Sequence, residues 1–235
     1  MLADKPLGQK AYGHIPHLPG SRMGPGDHHC NDGQARIATF KVRDRNDFVY
    51  VQEKLDGSCV SVAKIDGELV ALGRAGYRAE TSKYLMHHMW ADYVRDFSRE
   101  FDALLGEGER AVGEWLAQAH GTRYDLTNRQ PFVLFDLMRG TTRARTIEVL
   151  ERGEQHGIAT PPTRTGPVSI EFALEWLGED GYYGALDPVE GAVWRVERRG
   201  VVDFLVKYVR PDKVDGLYLD SVTGGERVWN LTSVR

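Results

Sequence analysis

Gln52-Glu53-Lys54-Leu55-Asp56-Gly57-Ser58-Cys59 is the stretch on which the fold of this chain turns. Upstream, Phe48 to Glu53 carries the aromatic and β-branched residues of a strand. Downstream, Val60, Val62 and Ile65 alternate with smaller or polar residues, Asp66-Gly67 supplies a tight turn, and Leu69-Val70-Ala71-Leu72 reads as the return strand. Lys54 therefore falls at the end of one strand, just ahead of a hairpin. A lysine that attacks an electrophile must first lose its proton. Its free pKa is ~10.4, so its surroundings must bury it or place positive charge beside it. The Asp-Gly that follows is a small turn at which backbone can approach a ligand closely. Alone, Lys-x-Asp-Gly describes equally well a solvated lysine on a surface turn.

Outward from this hairpin the period changes. Leu85, Met89, Tyr93, Phe97, Phe101 and Leu104 recur three or four residues apart between Ser82 and Leu105, the core-facing stripe of one long helix ended by Gly106 and Gly108. Strand patterns return at 111–116 and 132–137. A helix is expected from near Thr142 to Gly157. A shorter one follows Ser169, an N-cap with Glu171 in the first turn. Ala192 to Val196 and Val202 to Val209, joined by Arg199-Gly200, read as two more strands. Residues 1–35, rich in Gly, Pro and His, read as an ordered-looking loop, either a surface arm or an active-site flap. With no repeat and no low-complexity linker, the expectation is a single α+β domain over 1–235, mostly antiparallel, with 1–35 as its N-terminal arm.

Bulk composition narrows the class. The chain has 235 residues, 41% hydrophobic and 27% charged, with a net charge of −4, which excludes a disordered chain and leaves an ordinary globular one. Many nucleic-acid binders are basic overall. Here Arg195, Arg198, Arg199, Lys207, Arg210 and Lys213 cluster locally, so a basic face is compatible with the balance. Two cysteines, Cys30 and Cys59, make no disulfide framework and suit a reducing compartment. His28-His29-Cys30 lacks a second ligand cluster at a zinc spacing. No signal-peptide core is present, and no apolar run reaches the ~20 residues that span a bilayer. These features together predict a cytoplasmic protein with no membrane partner.

Further segments follow Lys54 in order: Gly73-Arg74-Ala75-Gly76, Val112-Gly113-Glu114-Trp115, Phe132-Val133-Leu134-Phe135-Asp136-Leu137, Glu190-Gly191-Ala192-Val193 and Leu205-Val206-Lys207-Tyr208. Each alone has a plain reading: core phenylalanines, solvated carboxylates. In this order they resemble the motif series of the covalent nucleotidyltransferase superfamily of polynucleotide ligases and capping enzymes, over roughly residues 48–210. The resemblance implies an ATP-grasp-like adenylation domain of antiparallel sheets with flanking helices. It implies that Lys54 takes AMP from ATP, that Gln52 and Glu53 lie at the adenine, and that Asp56 and Gly57 complete the nucleophile motif. It further implies Arg74 near ribose or phosphate, Glu114 on ribose hydroxyls, Phe135 stacked on the base, Glu190 at a Mg²⁺ or Mn²⁺, and Lys207 on the α-phosphate. Cationic groups at the phosphates and an aromatic face for a purine suit those roles chemically.

Within the superfamily, Ser58-Cys59 after the motif glycine is similar to phage-type RNA ligases, whereas DNA ligases and capping enzymes usually carry arginine at the position of Cys59. Only 28 residues follow Lys207, too few for an OB-fold barrel. Gly113-Glu114-Trp115-Leu116 continuing to His120 and Tyr124 is also similar to several RNA ligases. The resemblance thus implies an ATP-dependent RNA ligase for RNA repair that joins 5′-phosphate to 3′-hydroxyl ends, with an end-healing kinase or phosphatase as a possible partner. A truncated DNA ligase, a guanylyltransferase and a non-catalytic nucleotide- or RNA-binding domain are the rivals. Many relatives carry two lysines one residue apart in the last motif. Here Val209 takes the second position, so either Arg210 substitutes or the register shifts by two. His14, His17 and Arg22 can be phosphate contacts or exposed loop residues; exposure is the expectation.

Overall fold

The computed structural model describes residues 5–231. In chain order its helices and strands are α1 (Asp32–Thr39), β1 (Asp47–Lys54), β2 (Ser58–Ile65), β3 (Glu68–Gly73), α2 (Leu85–Asp96), α3 (Ser98–Leu104), β4 (Glu109–Trp115), β5 (Phe132–Arg139) and β6 (Thr142–Arg143), followed by α4 (Thr146–Gln155), β7 (Thr163–Thr165), α5 (Ile170–Leu177), β8 (Gly191–Arg198), β9 (Val201–Val209) and α6 (Asp220–Thr223). Every strand pairing is antiparallel. The strands form two open sheets, ordered β7-β1-β8-β9 and β3-β2-β4-β5-β6, and neither closes into a barrel. The α+β expectation holds, and no OB barrel is present among the described residues.

The chain divides into two compact units. One comprises residues 5–13, Ser58–Ala117 and Gln130–Thr160. It holds the five-stranded sheet. The β2–β3 turn is Asp66-Gly67, both at positive φ (52° and 78°), as a two-residue hairpin of this twist demands. On this sheet α2 seats Trp90, which is fully buried against Phe132 (4.7 Å between centroids), Trp115 (5.5 Å) and Phe101 (5.8 Å). Its indole N–H donates to the Ser61 carbonyl. The expected long helix is two helices broken at Phe97. The apolar stripe continues through the break, with Phe97 stacked 4.3 Å from Tyr93. The backbone does not, because aromatic residues and the flanking Asp96 and Ser98 are weak helix formers there. The helix expected from Thr142 begins instead at Thr146. Gly140, at φ 56°, turns the chain back so that Thr142 and Arg143 pair with the end of β5. The described residues of the expected arm up to Gly13 belong to this unit. Ala11 is buried with Ala63, Val70 and Leu72, and its carbonyl accepts from the Arg110 guanidinium.

The other unit comprises His14–Gly57, Gln118–Arg129 and residues 161–231. It holds the four-stranded sheet. The β8–β9 connection is the expected Arg199-Gly200, again with both residues at positive φ (51° and 79°). The Ser169 hydroxyl caps α5 by accepting from the Phe172 N–H, as its sequence indicated. α1 was not expected. Its signal was present, since Asn31 and Gln34 form a reciprocal capping box. Ahead of α1 the chain runs along the free side of β9: the Lys207 N–H donates to the Pro16 carbonyl, Leu18 to that of Lys207, and Arg22 to that of Val209. Leu18 is fully buried. Those hydrogen bonds cover a sheet edge that would otherwise present unpaired backbone groups.

Candidate active site

Lys54 is the last residue of β1, and its register partner on β8 is Gly191. Gly191 in turn faces Val209 on β9. A Cβ at Gly191 would lie 2.0 Å from the Tyr208 carbonyl oxygen, and its φ is 152°, so only glycine fits beside the lysine. The residue before it, Glu190, reaches back across the strands: its Oε2 lies 2.5 Å from Lys54 Nζ. Both side chains are largely withdrawn from water, at 22% and 10% exposure. Burial pushes the Glu190 carboxyl up to about 7, against the opposing pull of Lys54.

The sign of that shift gives a prediction. Unfolded, Glu190 titrates near 4.5; folded, near about 7. In that window the folded chain holds a proton the unfolded chain has released, so stability falls as pH rises through it and levels off above it. Glu190→Gln removes this slope. Thermal melting from pH 4.5 to 8 then shows a flatter or rising curve for the variant, and parallel curves would contradict the assignment.

Pleating sends Lys54 and Gln52 to one face of the sheet and Glu53 to the other. Gln52, Val193 and Lys207 form one row across β1, β8 and β9, so Lys207 shares the face of Lys54. The Gln52 amide donates to the Thr163 hydroxyl. Glu53 is buried, accepts from the Tyr182 N–H, and is raised above the ordinary carboxylate range by burial. Its Oε1 has no hydrogen-bond partner among the described residues, an unusual state for a buried carboxylate oxygen.

Two networks were not legible in the sequence. Asp27 stands between Lys207 and His17, with its Oδ1 3.9 Å from Lys207 Nζ and its Oδ2 3.0 Å from His17 Nε2. Burial opposes its charge, yet the Gly24 N–H, Lys207 and His17 hold it below the ordinary range. His17 is 2% exposed, which overturns its expected exposure. It contacts the Ser21 hydroxyl through Nδ1, and burial followed by Lys207 lowers its pKa. His14 is exposed as expected, and Arg22 is paired with Asp215. The second network surrounds the motif turn. Asp56 Oδ2 accepts from the Gly121 N–H (2.9 Å) and lies 3.0 Å from Lys213 Nζ, while the Asp56 N–H donates to the Tyr124 hydroxyl (2.9 Å). Tyr124 is buried, and burial lifts its phenol well above the ordinary value.

The remaining expected residues belong to the other unit. Arg74 is exposed and donates to the Gly13 carbonyl. Glu114 lies on β4 opposite Cys59. Phe135 is the extra residue of a bulge in the β4–β5 ladder, which re-aims its ring. That ring packs edge-on against Tyr12 at 5.2 Å.

Comparison with solved structures places this fold. Naegleria gruberi RNA ligase with pyrophosphate is similar at a TM-score of 0.54 and 19% identity, over 70% of this chain and 50% of that one. A Lys-to-Ala variant of that ligase with ATP and Mn is similar at a TM-score of 0.53 and 16% identity, over 86% of this chain and 61% of that one. An archaeal ATP-dependent RNA ligase aligns at a TM-score of 0.47 and 21% identity, over 69% of this chain and 42% of that one. This chain thus spans about half the length of the solved relatives it matches. No curated protein matches it in sequence. The family model described as RNA ligase matches residues 47–209, from the start of β1 to the end of β9, and the chain belongs to the RNA ligase family.

Proposed function

We propose that this chain carries the adenylyltransferase chemistry of an ATP-dependent RNA ligase, with Lys54 as the covalent nucleophile. The observation that supports it best is the buried Lys54–Glu190 pair at the end of β1, in a chain whose RNA ligase match begins with that strand. The Lys54 amine attacks the α-phosphorus of ATP, a nitrogen–phosphorus bond forms, and pyrophosphate leaves. AMP then passes to an RNA 5′-phosphate. A 3′-hydroxyl attacks that end, the phosphodiester closes and AMP departs.

Glu190 Oε2 is placed to accept the Lys54 proton, since an amine must be neutral to attack. Lys207 offers its charge to the α-phosphate. Gln52 and Glu53 are assigned to the base, Asp56 and Gly57 to the motif turn. Arg74 is assigned to ribose or phosphate, Glu114 to ribose hydroxyls, and Phe135 to base stacking. Among the described residues no three His, Cys, Asp or Glu side chains converge to cage a metal. Glu190 alone still fits Mg²⁺ or Mn²⁺, which bind through one or two carboxylates with substrate phosphates and water completing the shell. Such an ion supplies charge neutralisation at the phosphates. Cys30 and Cys59 form no disulfide, and no helix among the described residues is long and apolar enough to cross a membrane. Both suit a cytoplasmic repair enzyme working on RNA with 5′-phosphate and 3′-hydroxyl ends, prepared where necessary by a kinase or phosphatase.

The test is incubation with α-labelled ATP and Mg²⁺, followed by a sealing panel of nicked, looped and single-stranded RNA and DNA. Label retained on the denatured protein and sealing of RNA ends are expected. Labelling from GTP in place of ATP, or sealing confined to DNA nicks, favours the guanylyltransferase or DNA ligase reading. Nucleotide binding without any label favours the non-catalytic one.

A further inference from the structure

Lys213 is a buried lysine beyond the last expected motif, with a side chain only 6% exposed. An ammonium withdrawn to that degree is costly unless it is paired and hydrogen-bonded. It meets both conditions, lying 3.0 Å from Asp56 Oδ2 and donating to the Thr122 hydroxyl. The fit is close. A Cβ at Gly121 would stand 2.8 Å from that same Asp56 oxygen and 3.0 Å from Lys213 Cε. Arg210, the sequence candidate for the second cation of the motif, instead lays its guanidinium on Asp212. Val209 is buried on β9. The second lysine thus enters the nucleophile's turn from six residues beyond Lys207, through a bend in which the Lys213 N–H donates to the Arg210 carbonyl.

We infer that Lys213 is a positioning residue for self-adenylylation, acting through the Asp56 carboxylate to hold the turn that aims Lys54. This inference rests on the proposed function and adds a residue to it. Asp56 is gripped by the Gly121 N–H at its carboxylate and by Tyr124 at its backbone. Lys213 contributes the charge that keeps the carboxylate in place.

The experiment is a double-mutant cycle on single-turnover adenylylation, with Lys213→Gln, Asp56→Asn and the double variant, each checked for folding by thermal melting. Lys213→Gln is expected to slow label formation roughly 10–100-fold with the ATP concentration dependence changed by less than ~3-fold, as for misplacement of a nucleophile by about an ångström. The double variant is expected to be no slower than Asp56→Asn, because both changes break one contact. It also pairs two neutral groups, so it supplies the comparison if Lys213→Gln alone does not fold. Multiplying effects, an unchanged Lys213→Gln rate, or a loss confined to ATP affinity would overturn the assignment. A wild-type chain that takes no label condemns the ligase reading itself, whereas a labelled wild type with an unaffected Lys213→Gln condemns only the role given to Lys213.

Discussion

Lys54→Ala is expected to lose covalent labelling from α-labelled ATP by at least about 10⁴-fold, since removing a nucleophile leaves only binding and electrostatics behind. Lys54→Arg should fail equally. A guanidinium keeps the positive charge beside Glu190, but it stays protonated and offers no lone pair. Charge at this position is therefore not enough, and the two variants together separate nucleophilicity from electrostatics. The fold should tolerate Lys54→Ala, because Glu190 left without its cation can take up a proton, as its pKa of about 7 allows, and Lys54→Arg, because the cation is kept. RNA supplied with AMP already on its 5′-phosphate bypasses the first step, so Lys54→Ala should seal that substrate far better than the unadenylated one. Equal labelling of wild type and Lys54→Ala would end the proposal.

Trp90→Ala is expected to destabilise the unit built on the five-stranded sheet by about 3–5 kcal/mol, the usual cost of deleting a large buried aromatic. The indole touches Phe132, Trp115, Phe101 and Tyr93. These neighbours come from α2, α3, β4 and β5, so the cavity could not collapse without moving several elements at once. Truncation also strips the Ser61 carbonyl of the indole donor. Urea titration followed by circular dichroism measures the loss. Trp90→Phe, which keeps a ring but not the N–H, should cost distinctly less, and equal costs would show that the hydrogen bond rather than the packing dominates.

The two hairpins were legible because their signals are local. Asp66-Gly67 and Arg199-Gly200 stand between alternating apolar runs, and all four residues adopt positive φ. The Ser169 cap and Lys54 at its strand end could be read for the same reason. Phe97 misled the helix reading because the apolar period crosses the break while the backbone does not. Each unit is assembled from interleaved segments of the chain, so no single position in the sequence divides them. Asp27 carried no pattern, and the basic cluster that contains Lys213 did not indicate what that lysine meets. Lys213 meets Thr122 across 91 residues of sequence, and such a meeting is created by register and crossover, not by spacing. His17 was misjudged because a Pro- and His-rich segment resembles a solvated loop until it is seen hydrogen-bonded along β9.

The separation of 136 residues between Lys54 and Glu190 also sets a clock during synthesis. At ribosomal rates of roughly 5–20 residues per second, Glu190 is made about 7–27 s after Lys54. Through that interval the lysine has no buried carboxylate beside it and no β8 to lie against. It is then an ordinary, protonated, solvated amine. On the proposed reading, a nascent or prematurely terminated chain that lacks Glu190 and β8 is therefore expected to take no label from ATP, because the carboxylate that would accept the lysine proton has not yet been made.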